Sequence, residues 1–304
     1  MSHAPASRAS SRLAAAAALS VLVLTAAACA PQEDSASGDT KAVTPGPSGS
    51  ASAASCPPSA LRTRTSGKLT IGTDNPAYAP WFEDNEPANG KGYESAVAYA
   101  VARRLGYDRA AVDWQSVPFN NAFAPGAKTF DFDINQISIT DERRKAVDFS
   151  SGYYDVRQAV IALKGSKAAS ATSVAALKKV KLGAQIGTTS LDVINDEIRP
   201  TAAAAVYQKN DLAVAALKNG QVDAIVLDLP TAFYITSAEL EDARIVGQFA
   251  TGGGAQEQFG LVLDKGSPLT ACVTRAVDAL RSDGTLAKLE QQWLSDAVDA
   301  PVLK

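Results

Sequence analysis

Short apolar runs and longer amphipathic segments alternate along the chain from about residue 68 to its end. A compact apolar run or a strict apolar–polar alternation predicts a β-strand, whereas an apolar stripe with helical spacing predicts an α-helix. These patterns predict strands at 68–74, 112–117, 130–134, 158–163, 182–186, 224–227 and 259–263, and helices at 94–105, 212–218, 269–281 and 285–294. Because strands and helices alternate, we expect an α/β fold with open sheets flanked by helices.

A group of polar residues follows the strand-like run near residue 137. Ser138 and Thr140 supply two hydroxyls, and Arg143 supplies a guanidinium. Arginine presents a planar fork of donors that matches both oxygens of a carboxylate, and small hydroxyls can complete the site. The same segment also suits a plain helix start with Thr140 as its cap, so both interpretations stay open at this point.

Other polar residues are predicted at the carboxyl ends of strands, where open α/β sheets bind their ligands. Asp74 ends the first strand, residues 187–190 connect a strand to a helix, and Asp228 ends a buried strand. Free backbone N–H groups at a strand-to-helix turn favour an anion. We expect Arg143 and Thr189 to hold a carboxylate and Asp228 to hold an ammonium group, which is the complement of an α-amino acid. Taken singly, Thr189 and Asp228 also fit simple helix caps.

Residues 1–28 have the pattern of an export signal, since two arginines precede an apolar stretch that ends in small residues before Cys29. The apolar stretch is too short for a comfortable membrane span. Residues 24–29 resemble a bacterial lipobox, although Leu24 lies two places earlier than the usual leucine. We predict that Cys29 is lipidated and anchors the protein on the outer face of the cytoplasmic membrane. The alternative is a plain secretory signal cut after Ala28.

Residues 29–55 are predicted to form a disordered tether. The segment is dominated by Ser, Ala, Gly and Pro, a composition that cannot form a packed core. A flexible coil of this length typically reaches about 30 Å. Such a tether would keep a folded domain near a membrane partner.

The composition excludes several classes of function. The single histidine and the single methionine, His3 and Met1, lie in the predicted signal, which excludes Ser-His-Asp and Cys-His catalysis and a histidine zinc site. Without the two signal arginines the chain has 27 basic and 32 acidic residues. It has no basic stripe with interleaved aromatics and no G-x-x-x-x-G-K-[ST] loop, so we expect no nucleic acid, metal or cofactor.

Two cysteines remain after Cys29. Cys56 and Cys272 form an even pair in what we predict to be an oxidising compartment, so we expect a disulfide between them. The alternative is two unpaired, buried thiols.

A series of short motifs runs in a fixed order through about residues 67–295. The motifs are Gly72-Thr73-Asp74, Tyr78-Ala79-Pro80-Trp81-Phe82, Gly92-Tyr93-Glu94, Ser138-Ile139-Thr140-Asp141-Glu142-Arg143, Val147-Asp148-Phe149-Ser150 with Tyr153-Tyr154, Gly187-Thr188-Thr189-Ser190, residues 217–224 with Asp228, and Gly284-Thr285-Leu286. Together they resemble the bacterial extracellular solute-binding proteins, family 3, which feed polar amino acids to ABC importers.

The resemblance implies a two-lobed clamshell of the periplasmic-binding-protein type II, with two crossover strands as a hinge. Lobe one would comprise residues 57–156 plus 254–304, and lobe two residues 157–253. The resemblance further implies a monomer without enzymatic activity that closes around a polar L-amino acid and docks on a membrane permease.

The resemblance also assigns seven binding positions. They are Arg143 and Thr189 for the ligand carboxylate, Asp228 for the ammonium, Ser138 for both of these groups, Tyr78 and Phe119 for the two faces of the ligand, and Asp74 for its side chain. With both ends of the zwitterion satisfied only in the closed form, binding would shift the population toward closure.

Several positions depart from the family's pattern and leave the ligand side chain open. The loop 75–78 is one residue longer than a common form, and residues 118–126 replace a leucine-containing helical stretch. Asp74 suits a basic ligand, whereas Asn135, Gln136 and Gln158 suit an amide or an acidic one. Two alternatives to import remain: a ligand-sensing subunit, and a dehydratase on the same clamshell acting on a small cyclic carboxylic acid, with Asp or Glu as the general acid.

Overall fold

The computed structural model describes residues 56–250, 256–294 and 300–304 of the 304-residue chain. The predictions for the export signal, for Cys29 and for the tether at 29–55 concern residues outside these ranges. Within the described ranges, no helix is both long enough and apolar enough to cross a bilayer.

The first sheet has five strands in the spatial order β2-β1-β3-β10-β4. Its strands are β1 (Leu69–Thr73), β2 (Val112–Ser116), β3 (Phe132–Asp133), β4 (Val147–Asp155) and β10 (Gln258–Asp264). β1 pairs in parallel with β2 and β3, and β10 pairs antiparallel with β3 and β4. The carboxyl ends of β1 and β3 therefore point to the same edge of the sheet.

The second sheet also has five strands, in the order β7-β6-β8-β5-β9. Its strands are β5 (Gln158–Leu163), β6 (Leu182–Gln185), β7 (Ala205–Tyr207), β8 (Ala224–Asp228) and β9 (Ala243–Gln248). β6 is parallel to β7 and β8, while β5 is antiparallel to β8 and β9. Each of the two mixed sheets is flanked by helices, which confirms the predicted α/β class.

Helices cover both sheets. Along the chain they are α1 (Tyr93–Arg104), α2 (Phe119–Phe123), α3 (Asp141–Ala146), α4 (Val174–Leu177), α5 (Thr189–Asp192), α6 (Asn210–Lys218), α7 (Leu229–Tyr234), α8 (Thr270–Ser282) and α9 (Thr285–Trp293). π-Helical segments extend α5 over Val193–Ile198 and α7 over Ile235–Glu239. α1, α8 and α9 pack together against the first sheet and share one apolar core with it.

The sequence of α1 explains its position. Val97, Ala98, Val101 and Ala102 follow helical spacing and are fully buried. Gly106 then takes a φ of +83°, a left-handed conformation that glycine adopts without strain, and ends the helical segment. Burial of this stripe attaches the helix to the sheet that presents the candidate site.

The predicted strands and helices are confirmed, with boundary shifts of one or two residues and a shorter third strand. The strands β4, β7 and β9 were not predicted. β4 contains two serines and a glycine, which weaken its apolar pattern, and β7 has three residues. These strands form because neighbouring strands supply their hydrogen-bond partners, which local sequence does not reveal.

The chain passes between the two sheets three times, and two of these passages lie side by side. Val156 and Arg157 connect β4 to β5, and residues 249–257 connect β9 to β10, where 251–255 lie outside the described residues. The backbone N–H of Val156 donates to the carbonyl of Glu257 at 3.0 Å, so the two connections run side by side. Two adjacent crossings are what a clamshell hinge requires, and a hinge motion about them is part of the proposal below.

The end of the chain packs on the second sheet. Val302 pairs in parallel with Gln248, and the side chain of Leu303 lies in the core of that sheet. The sequence-based boundary placed residues up to 304 in lobe one. Residues 300–304 depart from that boundary because an apolar tail next to β9 gains both backbone pairing and burial.

Cys56 and Cys272 form the predicted disulfide, with sulfurs 2.08 Å apart and Cα atoms 5.8 Å apart. The bond ties the start of the described chain to α8 across 216 residues of sequence. Closing so long a loop restricts the unfolded chain strongly.

We expect the double substitution Cys56→Ser/Cys272→Ser to lower the free energy of unfolding by about 2–4 kcal/mol, because the unfolded chain regains the entropy of the opened loop. Urea titration of residues 56–304 followed by circular dichroism measures this. Reduced wild-type protein serves as the control and should match the double variant. Equal stability of the oxidised, reduced and substituted proteins would contradict the prediction.

Candidate functional site

A small cavity of about 30 Å³ lies between the two sheets. Its lining residues come from both sheets: Asp74, Tyr78, Phe119, Asn135, Gln136, Ser138 and Arg143 from the first, and Gln185, Thr188, Thr189, Ser190, Asn210 and Asp228 from the second. Such a volume accommodates a few water molecules. The structure thus brings all seven of the predicted binding residues to one cavity.

Arg143 lies in the first turn of α3 and is 9% exposed. Thr140 caps the helix by accepting a hydrogen bond from the backbone N–H of Arg143 at 3.1 Å. The cap orients the first turn, so the guanidinium extends into the cavity. The segment is therefore a capped helix start, and its arginine lines the cavity.

The Arg143 guanidinium bridges the two halves of the site. Nη1 donates to the backbone carbonyl of Ser138 at 2.6 Å, and Nη2 donates to the carbonyl of Gly187 at 2.8 Å. Phe123 and Phe119 lie 4.3 and 5.8 Å from it, with their rings facing the cation. Both hydrogen bonds go to neutral carbonyls, and among the described residues the guanidinium has no carboxylate partner.

Burial lowers the pKa of Arg143 to about 10, against the opposing effect of Asp192, Glu257 and Asp228. The side chain is therefore still positively charged at neutral pH. A buried cation with no carboxylate in salt-bridge contact among the described residues favours an anionic ligand, and the fork of the guanidinium favours a carboxylate.

The turn before α5 faces Arg143 from the second sheet. Gly187 has a φ of +76°, and a Cβ there would lie 2.1 Å from Oδ1 of Asn120, so both conformation and space require glycine. Thr188 caps α5 by accepting from the N–H of Leu191 at 3.2 Å. Thr189 then places its hydroxyl 3.4 Å from that of Ser138, so hydroxyls of both halves meet beside the guanidinium.

Asp228 ends β8, is partly buried and lines the same cavity. Its Oδ1 accepts a hydrogen bond from Nε2 of Gln158 at 2.7 Å. Desolvation, reinforced by the negative charge of Glu257, raises the pKa of Asp228 to about 8. A cation at this position would favour the ionised carboxylate, so the acidic end of the cavity is suited to an ammonium group.

Glu257 contacts two residues of the site region and was not predicted from the sequence. The hydroxyl of Ser138 donates to its Oε1 at 2.6 Å, and Nε2 of Gln158 lies 3.4 and 3.5 Å from its two oxygens. The sequence does place Glu257 directly before the last predicted strand, at one of the two adjacent crossings between the sheets. No local sequence pattern marks a charged residue at such a crossing as part of a site, so the sequence alone did not indicate Glu257.

The remaining predicted residues, Asp74, Tyr78 and Phe119, line another part of the cavity wall. The carboxylate of Asp74 accepts hydrogen bonds from the backbone N–H of Asn75 at 2.7 Å and from that of Phe119 at 3.3 Å. These bonds hold the carboxylate at the start of α2. Tyr78 lies close to Asp211, and burial together with that carboxylate raises its pKa. This wall therefore combines one acidic group with aromatic surface.

Two amide side chains named from the sequence have different environments. Gln136 adopts a φ of +50°, and both its N–H and its side-chain amide donate to Glu94, so its side chain is held within the first half of the molecule. Burial raises the pKa of Glu94 to about 7. Asn135 is buried, and its Nδ2 has no hydrogen-bond partner among the described residues. Asn135, and not Gln136, thus has a free donor near the cavity.

Two further hydrogen bonds join the halves around the cavity. Nε1 of the fully buried Trp81 donates to the hydroxyl of Thr231 at 2.9 Å, and Nζ of Lys209 donates to the carbonyl of Asn75 at 2.6 Å. These contacts and the Arg143–Gly187 bond hold the sheets in the closed arrangement.

Comparison with known proteins relates this geometry to a family. The family model of the bacterial extracellular solute-binding proteins, family 3, matches residues 69–296. The chain is similar to the ABC transporter glutamine-binding protein GlnH of Bacillus subtilis (strain 168), with 27% identity over 220 residues, covering 71% of this chain and 77% of that protein.

Two solved structures are also similar. An ancestral arginine-binding protein bound to arginine has 30% identity and a TM-score of 0.62, and the match covers 75% of this chain and 98% of that one. The ancestral amino acid-binding protein AncCDT-1, a precursor of cyclohexadienyl dehydratase, has 30% identity and a TM-score of 0.61, over 75% and 95% of the two chains. With the family model matching residues 69–296 and both sheets arranged as in these structures, the chain belongs to the bacterial extracellular solute-binding proteins, family 3.

Proposed function

We propose that this protein binds a polar L-α-amino acid outside the cytoplasm and delivers it to the permease of an ABC importer. The observation that carries the proposal is the buried guanidinium of Arg143, which has no carboxylate partner among the described residues and lies across a small cavity from Asp228. A positive and a negative group that line one cavity complement a zwitterion. The names of the similar proteins, glutamine-binding and arginine-binding, support the same class of ligand.

In this proposal the ligand replaces internal contacts. The carboxylate takes the place of the Gly187 carbonyl on Arg143 and receives the hydroxyl of Thr189. The ammonium group lies against Asp228, with Ser138 between the two ends. Tyr78, Phe119 and Asp74 contact the ligand side chain. Each charge of the zwitterion then has an opposite charge, which burial in a closed cavity demands.

Binding is coupled to closure in the same scheme. Lobe one, at 57–156 plus the segment from 254 through α9, carries Arg143, and lobe two, at 157–253 plus the chain end, carries Asp228. The crossings at 156–157 and 249–257 act as the hinge. Because an open cleft satisfies one end of the ligand at a time, the ligand favours the closed form by its differential affinity. The closed monomer then docks on the permease.

The proposed location follows from the N-terminal segment. Residues 1–28 direct export, Cys29 carries the lipid, and residues 29–55 tether the binding domain to the outer face of the cytoplasmic membrane. This arrangement keeps the protein within reach of a membrane permease.

A dehydratase is the second candidate. The pKa of Asp228, near 8, leaves a proton on a carboxyl group inside the cavity at neutral pH, which a general acid requires. AncCDT-1 is an amino acid-binding protein and a precursor of cyclohexadienyl dehydratase, which links this type of binding protein to the dehydratase reaction. The absence of an enzyme name among the glutamine- and arginine-binding relatives favours binding, so we propose a binding protein without catalytic activity.

A thermal-shift panel of the common L-amino acids tests the ligand class. Residues 56–304, refolded to remove carried-over ligand, should gain several kcal/mol of stability from one or two polar amino acids, since a ligand present far above its Kd stabilises the folded state. A panel without any stabilised member would contradict amino-acid binding. Incubation with a cyclohexadienyl acid, followed by product analysis, distinguishes the dehydratase.

Arg143→Ala should weaken binding of the stabilising amino acid at least about a hundredfold, because the carboxylate would be left unpaired in a dry cavity at a cost of roughly 3–5 kcal/mol. Isothermal titration calorimetry measures the Kd. Arg144→Ala is the matched control, since the neighbouring Arg144 is exposed and outside the cavity. Near wild-type affinity for Arg143→Ala would refute the assignment.

Cys29→Ala should abolish incorporation of a radiolabelled fatty acid into the full chain, because the thiol is the proposed site of lipid attachment. Labelling of wild-type and variant protein in the same bacterial host provides the comparison. Unchanged labelling would show that the anchor lies elsewhere, and unlabelled wild-type protein would indicate the plain secretory signal.

A further inference from the structure

Glu257 lies in the second crossing between the sheets, directly before β10. Its carbonyl accepts from the N–H of Val156 in the first crossing at 3.0 Å. Its half-buried side chain accepts from the hydroxyl of Ser138 at 2.6 Å. A residue of the proposed hinge thus places a carboxylate in direct contact with the proposed ligand site.

Gln158 connects this carboxylate to Asp228. Its Nε2 donates to Oδ1 of Asp228 at 2.7 Å and lies 3.4 and 3.5 Å from the oxygens of Glu257. The amide orientation is fixed, because the hydroxyl of Ser190 donates to its Oε1 at 2.6 Å. One neutral amide nitrogen therefore lies between two carboxylates and supplies hydrogen bonds without supplying charge.

The charged groups around the two carboxylates are predominantly acidic. Those facing Asp228 are Glu257, Glu94 and Arg143, and those facing Glu257 are Asp228, Arg143, Asp192 and Glu197. Arg143 makes its hydrogen bonds to backbone carbonyls of Ser138 and Gly187. Negative charge at this end of the cavity therefore exceeds positive charge among these groups. A cationic group on a ligand would balance it, whereas a hydroxyl or hydrogen in the same place would not.

We infer that Glu257 is a positioning residue that makes an α-ammonium group compulsory on the ligand, acting through Ser138, Gln158 and its negative charge beside Asp228. The inference rests on the proposed function and adds to it a specificity: α-amino acids are bound, and the corresponding acids without the amino group are rejected. It also places this selectivity on a residue of the proposed hinge, which acts on the ammonium site through Ser138 and Gln158.

The same arrangement predicts how affinity depends on pH. Asp228 has a pKa of about 8, raised by desolvation and then by Glu257. An ammonium ligand favours the ionised form, so binding at pH 7 releases a proton. Affinity should therefore rise with pH up to about 8, by at most about tenfold per unit. Without the charge of Glu257 the proton leaves Asp228 at lower pH, and the rise shifts in the acidic direction.

The test is isothermal titration calorimetry of residues 56–304 from pH 5.5 to 8, with wild type, Glu257→Gln and Glu257→Asp. The probes are L-glutamine and L-arginine, each paired with its desamino analogue, such as glutaramic acid for glutamine. Glu257→Gln retains hydrogen-bonding groups and removes the charge, while Glu257→Asp retains the charge. Glu86→Gln, at an exposed position outside the cavity, is the matched control for loss of one negative charge.

For wild type, Glu257→Asp and Glu86→Gln, we expect strong preference for the amino acid over its analogue and the same rising pH profile. For Glu257→Gln we expect the preference to fall about tenfold, and the profile to shift to lower pH by about one unit, because a neighbouring charge has been removed. Wild-type titrations in two buffers of different ionisation enthalpy should reveal proton release at pH 7 even if the variants fold poorly.

Binding by wild type with no proton release, or a Glu257→Gln protein with unchanged preference and pH profile, would overturn the inference and leave the proposed function standing. If wild type bound neither L-glutamine nor L-arginine, nor any other L-amino acid used as the probe, the proposed function and this inference would both be overturned.

Discussion

A buried positive charge without a counter-ion is the constraint on which the site depends. Arg143 is held in place by the Thr140 cap below it, by the rings of Phe119 and Phe123, and by two backbone carbonyls. These partners orient the guanidinium but do not neutralise it. If the protein supplied its own carboxylate to Arg143, the site would gain stability but could no longer bind a ligand carboxylate. The unpaired charge is therefore the feature that allows the cavity to bind a ligand.

The opposite end of the cavity has the opposite excess of charge. Asp228 and Glu257 share the amide of Gln158, and burial keeps a proton on Asp228 at neutral pH. Arg143 lies on α3, which precedes β4 of the first sheet, and Asp228 ends β8 of the second sheet. The distance between the charges is therefore set by closure, and a zwitterion of suitable length is the ligand that links the two halves.

Much of this could be read from the sequence, because it is local. Apolar runs identified most strands, and the resemblance of short motifs to a family predicted Arg143, Thr189 and Asp228 as binding residues, which all line one cavity. What could not be read depends on pairs distant in sequence. Ser138 donates a hydrogen bond to Glu257, 119 residues away in sequence, and Trp81 donates one to Thr231, 150 residues away. Gln136 likewise donates to Glu94 and not toward the cavity. The chain end packs on the second sheet because β9 offers a free edge, which no local pattern of residues 300–304 indicates.

The most direct test of the account is a crystal structure of residues 56–304 with the amino acid that stabilises the protein most. The account predicts a ligand carboxylate on both terminal nitrogens of Arg143, in place of the Gly187 carbonyl, and an ammonium group within hydrogen-bond distance of Asp228. A ligand bound in the reverse orientation, or one whose carboxylate lies away from Arg143, would contradict it.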